Sequence, residues 1–70
     1  MEGIIKVIEV VSESGTSWED AASNAVLDAT KTVKNITGID VIGFKATVVN
    51  GKIGKYKAHC KIAFVVESKK

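Results

Sequence analysis

Apolar residues recur along this chain with two different periods, and the changes of period mark its elements. Residues 3 to 12, Gly-Ile-Ile-Lys-Val-Ile-Glu-Val-Val-Ser, are mostly β-branched and are bounded by Gly3 and by Ser12, Ser14 and Gly15. That pattern predicts a strand. One face carries Ile4, Lys6, Ile8 and Val10, the other Ile5, Val7, Glu9 and Val11. Both are largely apolar, so the strand is expected to be covered on two sides, one of them by another subunit. From residue 17 the period lengthens. Trp18, Ala22, Ala25, Val26, Ala29, Val33 and Ile36 fall at spacings of three and four, which predicts a helix over 17–35 with that stripe against a sheet. Ser17 suits its cap, Glu19 and Asp20 lie where the helix dipole favours anions, and Lys31 and Lys34 complement the far end. The small residues of the stripe let the helix lie close. Leu27 falls off it and is expected either as an isolated exposed leucine or as a subunit contact. Gly38 suits the turn after the helix.

Alternation returns over 39–49 and 52–66, two strands joined at Asn50-Gly51, the strongest short hairpin signal a sequence offers. A two-residue loop pairs 49 with 52, 47 with 54, 43 with 58 and 40 with 61. One face then gathers Ile39, Val41, Gly43, Val49, Tyr56, Ala58, Cys60, Ile62, Phe64 and Val66, with Gly43 opposite Ala58 leaving room for the helix. The other sets Asp40 beside Lys61, Ile42 beside His59, Phe44 beside Lys57 and Ala46 beside Lys55. That second face is half apolar and half basic, a natural seat for an anionic aromatic ligand or a partner subunit. The expected fold is α+β: a β-α-β-β protomer, one domain over 1–70, its three-stranded antiparallel sheet packed on one long helix, with Ser68, Lys69 and Lys70 a frayed end.

Composition adds a constraint on stability. A domain of 70 residues buries only about 60% of the surface its unfolded chain exposes. Cys60 is the sole cysteine and His59 the sole histidine, so neither a disulfide nor a tetrahedral zinc site can compensate. Oligomerisation is the remaining route. A hydrophobic fraction of 46% against 26% charged excludes disorder, and no apolar run approaches the ~18 residues of a membrane span. Met1, Glu2 and Gly3 lack the basic lead of a signal peptide, which makes a cytoplasmic protein the expectation.

The net charge of +2 hides a split. Seven of the eight acids lie in residues 1 to 40, whereas 41 to 66 hold Lys45, Lys52, Lys55, Lys57, Lys61 and His59 with no acid. The absence of arginine weakens a nucleic-acid reading, since the guanidinium fork is the favoured contact to bases and phosphates. No catalytic triad and no glycine-rich phosphate loop is visible, so the chain is not expected to be an enzyme. Glu13, Glu19 and Asp20 gather where the helix begins, as capping groups or as a divalent-cation site. His59 is expected as a partly exposed strand residue, Cys60 as inert core packing and Trp18 as a core anchor.

The strand Lys6-Val7-Ile8-Glu9-Val10-Val11, the helix start Gly15-Thr16-Ser17-Trp18-Glu19-Asp20-Ala21-Ala22, the segment Ala29-Thr30-Lys31-Thr32-Val33-Lys34-Asn35-Ile36 and the closing Tyr56-Lys57-Ala58-His59-Cys60-Lys61-Ile62-Ala63-Phe64 together resemble the dodecins over nearly the whole chain. The resemblance implies a hollow homo-dodecamer that stores or quenches a small molecule, with flavin (riboflavin or FMN) as the family ligand and no part for nucleic acid or membrane. In flavin-binding dodecins a tryptophan opening the second strand stacks on the isoalloxazine and a glutamine on the third strand bonds its polar edge. Gly38 and Lys57 occupy those positions here, and the hairpin arithmetic places Phe44 with them; Gly38, Lys57 and Phe44 are therefore the candidate binding residues. The Val-Ile-Glu-Val-Val strand and the Thr-Ser-Trp-Glu-Asp-Ala helix start look closer to the dodecin-like proteins described as calcium-binding, which makes the alternative a dodecin-like assembly without flavin that binds a cation such as calcium or serves a structural role.

Overall fold

The computed structural model describes residues 3–67, with the order β1 (Gly3–Ser14), α1 (Trp18–Ala29), β2 (Ile36–Val49) and β3 (Lys52–Glu67); the expected frayed end at 68–70 lies outside the described residues. The sheet is antiparallel with β3 in the centre, in the order β1-β3-β2. Alternate β3 residues therefore define its two faces. Tyr56, Ala58, Cys60, Ile62 and Phe64 face α1; Lys57, His59, Lys61, Ala63 and Val65 face away from it. The second side is called the open face below.

Helix α1 begins as its sequence dictates. The Ser17 hydroxyl accepts the Asp20 amide at 3.0 Å, satisfying one of the unpaired first-turn donors. Ser14 Oγ donates to Asp20 Oδ2 at 2.7 Å and accepts the Thr16 amide at 2.9 Å, tying the end of β1 to the helix. The helix ends at Ala29, earlier than its periodicity predicts. Thr30, Thr32 and Val33 are β-branched and lose rotamer freedom in a helix, and Thr30 Oγ1 instead donates to the Leu27 carbonyl at 2.7 Å. Asn35, at φ 64°, turns the chain into β2; Gly38, expected at that turn, lies within the strand. The buried stripe is also rotated from the predicted one. Ala21, Ala25 and Ala29, four apart, form the core with Ala58, Cys60 and Ile62, while Ile8, Val10, Ala22, Ile36 and Val41 pack around it. Alanines bring the helix axis close to the sheet, but six buried residues make a small core.

The hairpin turn is as expected, with Asn50 at φ 53° and Gly51 at φ 76°, the positive pair of a type I′ turn. Gly51→Val should cost more than ~1 kcal/mol, because a β-branched side chain is strained in the left-handed region. Chemical denaturation of the purified protein checks this, and an unchanged midpoint would contradict it.

The ladder departs from the simple register. Val49 pairs with Lys52 and Val48 with Ile53, but Ala46 pairs with Tyr56, so Thr47 faces both Gly54 and Lys55. Thr47 Oγ1 accepts the Lys55 amide at 2.9 Å, and a Cβ on Gly54 would stand 2.9 Å from that oxygen, which is why glycine suits the bulge. A second bulge at Ile42 on β2 cancels the offset, so Asp40 meets Lys61 as expected. Between the bulges every β2 residue is displaced by one. Gly43 therefore pairs with His59 on the open face rather than with Ala58, and Phe44 and Ala46 turn to the helix side.

Candidate functional site

The open face is organised as rows across the three strands. Val11, His59 and Gly43 form one row, Glu9, Lys61 and Asp40 the next, and Val7, Ala63 and Gly38 the third. Acids of β1 meet bases of β3 across it. Glu13 lies 3.7 Å from both Lys55 Nζ and Lys57 Nζ, and the Glu9 carboxylate meets His59 Nε2 at 2.5 Å. These contacts are half exposed and contribute little to stability, commonly ~0–1 kcal/mol each. Their effect is to fix which charges remain uncommitted. Lys45 stands directly opposite Lys57, and among the described residues neither Asp40 nor Lys61 takes part in an ion pair.

The three candidate binding residues do not share one place. Gly38 and Lys57 both lie on the open face, as expected. Six residues along β3 separate Lys57 from Ala63, the partner of Gly38, which at 3.3–3.4 Å per residue is about 20 Å. A single planar ligand touching both must take them from two protomers. Phe44 is on the other side. The Ile42 bulge turns its ring toward α1, edge-on to Trp18 with centroids 6.1 Å apart, and Trp18 packs edge-on to Tyr56 at 4.8 Å. Trp18 Nε1 also donates to the Lys45 carbonyl at 2.8 Å. Trp18 is thus the anchor between helix and sheet, its indole N–H satisfied by an edge strand.

Beside Gly38 the open face has a cleft of about 290 Å³ lined by Val7, Gly38, Ile39, Asp40, Lys61 and Ala63. A Cβ on Gly38 would meet nothing within 4 Å. The acids at the helix start do not form a comparable site: Asp20 is held by Ser14, Glu13 by Lys55 and Lys57, and no three His, Cys, Asp or Glu side chains among the described residues gather around a common point. Cys60 is fully buried, and burial pushes its thiol pKa up, which keeps it protonated and unreactive.

The pairing of Glu9 with His59 and of Glu13 with both lysines follows from β1 lying against β3. The hairpin arithmetic covers β2 and β3 only. The lone acids at alternate positions of β1 are the available signal, since Glu9 and Glu13 share a face with Val7 and Val11 and need basic partners there.

The sequence profile of the dodecin family matches residues 4–67. The chain belongs to the dodecin family. Among solved structures it is similar to the calcium dodecin of Mycobacterium tuberculosis, a calcium-chelating immunodominant antigen, with 34% identity, 96% of each chain covered and a TM-score of 0.80. Dodecin from Streptomyces coelicolor superposes with a TM-score of 0.91 at 24% identity over 96% of each chain. A Thermus thermophilus protein does so with a TM-score of 0.91 at 22% identity, over 97% of this chain and all of that one. No curated protein sequence matches the chain. The latter two likenesses establish the dodecin fold, which agrees with the strand order and single helix described above. No helix among the described residues is long and apolar enough to cross a membrane.

Proposed function

We propose that this dodecin is a non-enzymatic, cytoplasmic binding and storage protein, working as a homo-dodecamer and holding a planar flavin-like molecule on the open face of its sheet. The observation that carries this reading is the apolar, charge-edged cleft at Gly38, the position at which the dodecin resemblance places the stacking residue. Gly38 and Lys57 stay in the site, each protomer contributing one to a given ligand; Phe44 belongs to the Trp18 cluster instead. Glycine offers no ring to stack, and an ammonium donates without accepting, so it cannot replace both functions of a carboxamide.

Wild type should therefore bind riboflavin weakly, and Gly38→Trp combined with Lys57→Gln should tighten binding about tenfold, the equivalent of ~1.4 kcal/mol, in the range of an added aromatic stack. Quenching of riboflavin fluorescence measures both. Tight binding by wild type would show that another group stacks on the ring, and no quenching by either protein would overturn the reading.

The likeness to the calcium dodecin at 34% identity favours a second reading, a calcium-binding assembly. Because the carboxylates among the described residues of one protomer do not converge, an ion would draw its oxygen ligands from more than one subunit. Calcium added in the same titration is the discriminating arm: ion uptake without riboflavin quenching selects this second reading.

A further inference from the structure

Three asparagines occur in the chain, in the pairs Asn24-Ala25, Asn35-Ile36 and Asn50-Gly51. An asparagine carboxamide carbon is an electrophile placed one five-membered ring away from the next backbone nitrogen, and a glycine at that nitrogen has no Cβ to shield it. Asn50-Gly51 is the pair open to this attack. Both residues lie exposed at the tip of the hairpin, and none of the side-chain hydrogen bonds among the described residues involves Asn50. Asn24 is held within α1, its Nδ2 donating to the Glu13 carbonyl at 3.1 Å. Asn35 is followed by Ile36, whose β-branched side chain crowds the nitrogen.

The turn itself opposes the reaction. Ring closure needs Asn50 Cβ and the Gly51 nitrogen nearly eclipsed about the Cα–C bond. Asn50 sits at φ 53°, where a residue with a side chain is confined to ψ of about +30 to +60°, and tetrahedral geometry at Cα then sets Cβ and that nitrogen on nearly opposite sides of the bond. The carboxamide cannot reach the nitrogen until the turn opens. We propose that Asn50 is a self-modification site held inactive by the type I′ turn, so that its deamidation marks chains whose β2-β3 ribbon has come apart. The ribbon beyond Tyr56 has only two strands, and ribbons of that kind open readily by themselves.

In the opened chain the Gly51 nitrogen gives up its proton to solvent and bonds to Asn50 Cγ; the Cγ–Nδ2 bond breaks and ammonia leaves, taking a proton from water. Water then opens the succinimide. Attack at Cγ gives aspartate, and attack at the main-chain carbonyl gives isoaspartate. One water is consumed and one ammonia released, with no oxidant or reductant. Isoaspartate carries the main chain through Cβ and Cγ, an extra backbone atom that a two-residue turn of fixed register cannot hold. A chain so modified does not rebuild the ribbon.

The test compares the folded protein with the same full-length chain unfolded in urea, both aged in mildly alkaline buffer and read by peptide mass spectrometry as a gain of about 1 Da at each asparagine. In urea Asn50 should convert well before Asn24 and Asn35. In the folded protein its rate should fall about tenfold or more, because the ribbon is open for only a small fraction of the time. In a folded sample aged to partial conversion, isoaspartyl chains should be enriched among those that dissociate first in moderate urea. Equal rates at Asn50 in the two samples would overturn the role of the turn, and conversion of Asn24 or Asn35 as fast as Asn50 in urea would overturn the choice of site. Isoaspartyl chains spread evenly between the dissociated and assembled fractions would show that the ribbon tolerates the modification. Asn50→Gly, which keeps a turn-forming pair, should show no gain at position 50; the wild-type comparison decides the outcome without it.

Discussion

Ile62→Ala should destabilise the protein by about 3 kcal/mol, within the 2–5 kcal/mol typical of such truncations, and should deplete the folded assembly at moderate urea. Ile62 is the largest fully buried side chain, and the helix residues in its cluster are Ala21, Ala25 and Ala29. Alanines have no side-chain freedom with which to fill the void, and the helix backbone cannot easily move closer. A core of six buried residues has little stability to spare. Ile62→Val removes one methylene and should cost only about 1 kcal/mol. Urea midpoints for both variants decide the matter; an Ile62→Ala loss no larger than that of the valine variant would mean that the helix collapses onto the sheet more readily than its alanine stripe implies.

Val48→Asp with Ile53→Asp should convert the assembly to small, largely unfolded species in sedimentation. β1 ends opposite Tyr56, so the hairpin beyond it is a two-stranded ribbon on a protomer measuring 57 × 19 × 13 Å. Two-stranded ribbons are marginal in water by themselves. Here Val48 and Ile53 pair across the ribbon with 70% and 50% of their surfaces exposed, the disposition of residues that a neighbouring subunit covers. Covering an apolar side chain of this size is worth about 1.5–3 kcal/mol, and a closed oligomer repeats the contact in every protomer. An assembly that persists unchanged in the double variant would place the subunit contacts elsewhere.

Local chemistry made most of the fold legible. The capped helix start at Ser17, the Asn50-Gly51 turn and the alternation of β3 each depend on a few adjacent residues, and the two-sided apolar pattern of β1 matches its exposure on the open face. Two features escaped for physical reasons. A bulge costs the ladder one unpaired residue and leaves no period in the sequence, so neither the Ile42 nor the Gly54-Lys55 bulge was visible, and Phe44 was assigned to the wrong face. The end of the helix was obscured because Val33 and Ile36 continue the apolar spacing while the β-branched residues around them oppose helix. Of the candidate site, Gly38 and Lys57 were placed on the correct face. Asp40 and Lys61 were recognised as neighbours, but that Glu9, registered opposite Lys61, turns to His59 instead depends on contacts across the β1–β3 boundary.

The central position of β3 has a further consequence for how the protein is made. Every hydrogen-bonded partner of β1 lies on the last strand of the domain, from Ser14 with Tyr56 to Gly3 with Glu67, and the core residues on which α1 rests, Ala58, Cys60 and Ile62, lie there too. During synthesis β1 and α1 emerge with nothing to pair against, leaving an apolar β-branched segment exposed until β3 follows. Such long-range pairing requires loop closure before it yields any contact and is slow to form. A chain that has released β1 but not yet β3 therefore presents this apolar segment to its neighbours, which makes β1 the stretch through which incomplete chains stick to one another.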